Sequence, residues 1–222
     1  AVGRESLTAN TTGAYNVAVG HRALLANTTG GSNIAIGVQA LSTQTTGGDS
    51  NVAIGHQALK DNTTGDNGVA VGYNALNANT TGGSNVAIGY GALLVNTTAA
   101  SIVAVGRNAL AANTTTGSHV AIGYHALAAN TTGAENTAVG MHAADTNTTG
   151  SHLTSVGYYS LYANTTGGEN TALGHMALMT NTTASYNTAV GYSALKVNTT
   201  GASNTAVGKS ALLANTTGSN NA

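Results

Sequence analysis

Cysteine, proline, tryptophan and phenylalanine are all absent from this chain of 222 residues, and only 6% of its residues are charged. Without cysteine there are no disulfides, thiolate metal sites or thiol nucleophiles, and the redox compartment is left open. Without Phe and Trp, any core must be filled from Ala, Val, Ile and Leu. Disorder is excluded as well, because disordered chains are rich in charge and proline. A net charge of −1 supplies no electrostatic footprint for nucleic acid or an anionic membrane surface. No run approaches the roughly 18 apolar residues that span a bilayer, and no signal-peptide pattern opens the chain. The chain starts inside a repeat, at Ala1-Val2-Gly3 without a methionine, which suggests a processed chain or a window on a longer one.

What is present is self-similarity. The Gly of an Ala-Val-Gly or Ala-Ile-Gly triplet, or of the variants Ser155-Val156-Gly157 and Ala172-Leu173-Gly174, recurs at 3, 20, 37, 55, 72, 89, 106, 123, 140, 157, 174, 191 and 208, always 17 residues apart except for one step of 18. The extra residue falls in Gly47-Gly48-Asp49-Ser50, where a surface turn absorbs an insertion most easily. The unit reads Asn-(Val/Ile/Thr)-Ala-(Val/Ile)-Gly-x-x-Ala-Leu-x-x-Asn-Thr-Thr-Gly-x-x, so residues 1–222 form one array of about thirteen repeats. A short period-2 segment and a separate Ala-Leu pair, each followed by glycine, leave no room for a helix and predict two strands and two turns per unit. So small a unit cannot bury its apolar face alone. Copies must stack as coils about 4.8 Å apart, which predicts an all-β parallel solenoid with columns of equivalent residues.

Three columns carry the packing argument. The residue before the triplet Gly is Val, Ile or Leu, and alternation puts the residue two earlier on the same face, which is expected to line the coil interior. The residue between them is Ala at 18, 35, 53, 70, 87, 104, 121, 138, 172, 189 and 206, with Ser155 as the exception. Uniformly small side chains predict a second tight surface, and the Ala18, Ala35, Ala53, Ala70, Ala87, Ala104, Ala121, Ala138, Ala172, Ala189 and Ala206 column is the candidate interface between parallel chains. Leu after Ala forms a further apolar column, and the triplet Gly marks a corner that only glycine can turn.

Asn33-Ile34-Ala35-Ile36-Gly37, Asn51-Val52-Ala53-Ile54-Gly55 and Asn85-Val86-Ala87-Ile88-Gly89 resemble the repeats in the head domains of trimeric autotransporter adhesins. The longer form, Asn187-Thr188-Ala189-Val190-Gly191-Tyr192-Ser193-Ala194-Leu195, is similar to repeats of phage tail-fibre and bacterial surface-fibre proteins. The resemblance covers the whole chain, and the Asn-Thr-Thr-Gly turn elaborates a usually shorter adhesin repeat. It implies a left-handed parallel β-roll with three chains side by side. It also implies an extracellular or cell-surface location, and adhesion to a host surface or glycan as the activity. The alternatives are a single-chain solenoid filament, glycosylated or not, and an ice-binding solenoid. Ice binding is disfavoured because adjacent threonines point to opposite faces, leaving one outward Thr column per coil at the turn.

Catalysis finds little footing, and no cofactor is expected. The seven acids are scattered over different coils, whereas glycosidic chemistry needs two carboxylates at a set separation. A Val19-Gly20-His21-Arg22-Ala23 match to the hexapeptide of left-handed β-helix acyltransferases does not recur at the three-per-coil spacing those enzymes need. His125 and His142 share a slot on consecutive coils, about 5 Å apart by strand spacing, and no carboxylate in that column completes a metal set. Tyr73, Tyr90, Tyr124, Tyr158 and Tyr192 share the slot after the Gly, where an aromatic column either stacks on glycan rings or shields the corner. Asn-Thr-Thr recurs with Asn10, Asn27, Asn62, Asn79, Asn96, Asn113, Asn130, Asn147, Asn164, Asn181, Asn198 and Asn215. Each is formally an N-glycosylation acceptor in an expected exposed turn; the other possibility is an amide ladder bonding coil to coil. At Gln44-Thr45-Thr46 the acceptor is lost while both threonines remain, so the turn itself accounts for the threonines.

Overall fold

In the computed structural model, which describes residues 1–222, every regular element is a three-residue strand. The chain falls into two compact units, residues 1–117 and 118–222. The first holds β1 (Val17–Val19), β2 (Ile34–Ile36), β3 (Val52–Ile54), β4 (Val69–Val71), β5 (Val86–Ile88) and β6 (Val103–Val105). The second holds β7 (Val120–Ile122), β8 (Thr137–Val139), β9 (Thr154–Val156), β10 (Thr171–Leu173), β11 (Thr188–Val190) and β12 (Thr205–Val207). Within each unit consecutive strands pair in parallel and in strict register, as in Ala70↔Ala87 and Ala172↔Ala189. This is the expected all-β parallel solenoid with one coil per repeat. The 18-residue repeat keeps the register, Ile34 lying against Val52, because Gly47 and Gly48 take up the extra residue with φ of 68° and 70°.

The Ala-Leu segment is not the second strand that the pattern suggested. It is a tight turn in which alternate residues take left-handed backbone conformations, for example Arg22 (φ 58°) and Leu24 (φ 50°), with a third such residue at Ser32 (φ 59°). The N–H groups of the two left-handed residues go to opposite neighbours: Arg22 N donates to Arg4 O and Leu24 N to Ala40 O, while Ala23 N between them donates to Gly20 O of its own coil. A left-handed Leu costs about 1–2 kcal/mol, and complete burial of its side chain, worth about 1.5–3 kcal/mol, offsets that. The Leu column is fully buried from Leu24 to Leu195, as expected, and half-buried at Leu212 in the last coil.

The two faces of the strand are exchanged relative to the sequence expectation. The middle residue points inward: Ala18, Ala35, Ala53, Ala70, Ala87, Ala104, Ala121, Ala138, Ala172 and Ala189 are 0% exposed and Ala206 is 2% exposed within the single chain. The flanking Val, Ile and Thr side chains point outward, half-buried or exposed. The candidate interface column is thus the interior of the chain's own coil. Ser155 shows what it faces: its Oγ lies 2.7 Å from Oγ of Ser160, and Ser160 occupies the corner slot that is Ala in neighbouring coils. The two small columns therefore meet across a coil too narrow for anything larger at the strand centre. Ala87→Leu is expected to destabilise the folded chain by about 1–3 kcal/mol through overpacking, whatever its assembly state. A denaturation curve matching the wild type would contradict the inward placement.

Candidate functional site

Each coil has one structural edge and two presented surfaces. The edge is the Asn-Thr-Thr turn. Ten of its twelve asparagines are buried, Asn10 and Asn215 being half-buried. Asn164 is representative: its Nδ2 donates to Asn147 Oδ1 at 2.8 Å and to Gly167 O at 2.9 Å, while its Oδ1 accepts from Asn181 Nδ2 at 2.9 Å. The same link joins Asn27 to Asn10 and Asn79 to Asn62 in the first unit, and Asn147 to Asn130 and Asn198 to Asn181 in the second. The expected exposed acceptors at Asn27, Asn62, Asn79, Asn96, Asn113, Asn130, Asn147, Asn164, Asn181 and Asn198 are thereby corrected. The nitrogen a glycan would occupy faces inward and is already bonded, and at Asn10 and Asn215 it also donates to a carbonyl. The first Thr hydroxyl donates to the next coil's carbonyl, as in Thr63 to Thr80 O at 2.9 Å; the second Thr is exposed. At the longer repeat the amide is kept on a longer arm, Gln44 Nε2 donating to Asn27 Oδ1 at 3.0 Å. Gln44 Oε1 is left buried without a partner.

Sequence reasoning assigned no role to the Asn that precedes most strands, which builds a second, interrupted ladder. Asn187 N donates to Asn170 Oδ1 at 2.9 Å, and Asn187 Nδ2 to Gly201 O at 2.9 Å. The signal was in the repeat, where this Asn recurs before eight of the twelve strands and gives way to Gly68, Ile102, His119 and Leu153 before the other four. Together the two ladders supply the polar part of an interior otherwise made of Ala, Ala and Leu.

The first presented surface is the outer strand face. Its two columns are Val17/Val19, Ile34/Ile36, Val52/Ile54, Val69/Val71, Val86/Ile88 and Val103/Val105 in the first unit. In the second unit Thr takes the leading position from β8 to β12, beside Val or Leu. No charged residue interrupts these strands, and Ile36, Ile54 and Ile88 are 38%, 37% and 39% exposed.

The second surface is the corner after the triplet Gly. Tyr73, Tyr90, Tyr124, Tyr158 and Tyr192 are all exposed there. His56, Tyr73 and Tyr90 stack face to face with centroids 4.9 and 5.2 Å apart, and Arg107 lies over Tyr90. In the second unit His175 sits between Tyr158 and Tyr192, 5.1 Å from each. His125 and His142, 5.5 Å apart, are joined by a group the column argument overlooked: Asp145, whose Oδ2 is 2.6 Å from His142 Nδ1 and whose Oδ1 is 3.8 Å from His125 Nδ1. Withdrawal from water beside Tyr158 and Tyr162 pushes the neighbouring Tyr159 phenol above its ordinary range.

No pocket opens in the surface, so a ligand would meet the molecule on an open face. No protein-family model matches the chain, and neither a curated protein nor a solved structure does.

Proposed function

We propose that the chain is a structural and adhesive fibre segment, displayed outside the cell, in which copies associate side by side through the outer strand face. The observation that carries this is the outward placement of two in-register, uncharged columns of β-branched and aliphatic side chains. Scattered apolar residues are ordinary on a protein surface, whereas contiguous apolar patches mark interaction sites. Parallel association of three chains, as the adhesin-like pentads imply, gives these columns an apolar partner and leaves the corner columns on the outside. Stacked tyrosines there offer flat rings for sugar rings or a host surface. The role is non-catalytic, resting on shape and repetition.

Replacing Ile36, Ile54 and Ile88 together with Lys is expected to convert a three-chain species to single chains in sedimentation equilibrium while leaving the far-ultraviolet circular dichroism unchanged. The substituted side chains point away from the coil interior, and an uncompensated charge opposes burial between chains. A wild-type chain that sediments as a single chain would remove the side-by-side reading. If that same chain lowered the freezing point without changing the melting point, the outer face with its Thr137, Thr154, Thr171, Thr188 and Thr205 column would belong to ice.

A further inference from the structure

We propose that His125, His142 and Asp145 form a binding site for one divalent transition-metal ion, which clips together two adjacent coils of the second unit. The potential ligand atoms of the three side chains all lie within 4.8 Å of one another. The site is built by the fold. His125 and His142 are the second residues after their triplet glycines, and both take the left-handed conformation, with φ of 57° and 56°. That repeated geometry, with His142 N donating to Tyr124 O at 2.9 Å, brings the two imidazoles side by side. Asp145 follows three residues after His142 and aims one carboxylate oxygen at Nδ1 of each ring.

The surroundings favour a ligand role. The side chains are 29%, 16% and 14% exposed for His125, His142 and Asp145, sheltered yet reachable from solvent. The carboxylate forms ion-pair contacts with these two imidazoles and with no Lys or Arg. Tyr124 stacks on His125 with centroids 4.3 Å apart, and Tyr159 lies 4.9 Å from His142, which limits how far the rings can swing. Two imidazole nitrogens and one carboxylate oxygen suit Zn²⁺, Co²⁺, Ni²⁺ or Cu²⁺, while the hard cations Mg²⁺ and Ca²⁺ prefer all-oxygen sets. Three protein ligands leave at least one position on a tetrahedral ion open, available to water or to a donor from outside the chain.

The test uses the whole 222-residue chain and zinc chloride. Calorimetric titration is expected to show one Zn²⁺ bound per chain, a rise in thermal midpoint on Zn²⁺ addition, and no saturable response to Ca²⁺ or Mg²⁺. His142→Asn and Asp145→Asn are each expected to weaken Zn²⁺ binding at least tenfold. Asn tolerates the left-handed backbone at 142, and His125→Asn provides a third variant should either of these fail to fold. Substitution of Co²⁺ adds a spectroscopic readout of the coordination itself, since the intense visible bands of a tetrahedral ion appear only with the nitrogen and oxygen ligands in place. Absence of saturable Zn²⁺ binding overturns the proposal. So does equal binding by the wild type and folded variants, which would assign the ion to other histidines.

Discussion

Gly174→Ala is expected to be among the most damaging single substitutions in this chain, lowering unfolding free energy by roughly 2–6 kcal/mol as backbone strain and overpacking combine. Gly174 has a φ of 138°, where a side chain is strained in any setting. A Cβ there would also stand 2.5 Å from Gly191 O and 2.7 Å from Gly191 C. Both obstacles are backbone, and that backbone is hydrogen-bonded to its neighbours, Gly191 N donating to Leu173 O at 2.8 Å; it has little freedom to retreat. Gly208 separates the two contributions, since its φ is 126° but a Cβ would meet nothing within 4 Å. Gly208→Ala should therefore show only the backbone part, about 1–3 kcal/mol. Urea unfolding of both variants checks the difference, and equal losses would mean that contact between stacked corners contributes nothing.

Asn164→Asp should be about as damaging at neutral pH and should recover in acid. The substitution replaces a buried Nδ2 that donates to Asn147 Oδ1 and Gly167 O with an oxygen facing two acceptors. As a carboxylate it is a buried charge without a partner, costing about 3–5 kcal/mol. As a neutral acid it can donate to one of the two. Burial and the facing oxygens both raise its pKa in the folded state above the unfolded value near 3.9. The variant's stability relative to wild type is therefore best below that unfolded value and falls as pH rises through the raised folded value. Asn164 does not titrate, so the wild type supplies the reference at each pH. A variant that unfolds at the wild-type urea concentration at pH 7 would show that the amide ladder is not needed. The ladder also explains the paucity of hydrophobic bulk: most coils bury one Leu and two Ala, and the amides hold neighbouring coils at the strand repeat.

Period, parallel stacking, register, the Gly-only corner, the buried Leu column and the place of the inserted residue were all legible in the sequence. They are properties of repetition, which survives any uncertainty about where a single side chain points. Asn-Thr-Thr was legible as a choice between two chemistries, and the structure shows the amide ladder formed, with the Nδ2 groups of all but the end coils buried. The inside of the strand was not legible. Alternation in Val86-Ala87-Ile88 separates two faces but is symmetric under their exchange, and the general preference for burying large aliphatics pointed to the wrong one. One pair of residues held the answer: Ser155 and Ser160 depart from Ala in the same repeat, as two groups facing each other across a narrow space would. The Asp145 contact with His125 and His142 was hidden for a different reason. Column arithmetic aligns residues 17 apart, whereas this carboxylate reaches its partners around a turn whose left-handed residues no periodicity announces. Composition and period thus determined that this protein is a stack of identical β-coils. Tertiary closure of each coil decided which face is core and which is presented, because only a closed ring of 17 residues sets how much volume its interior can hold.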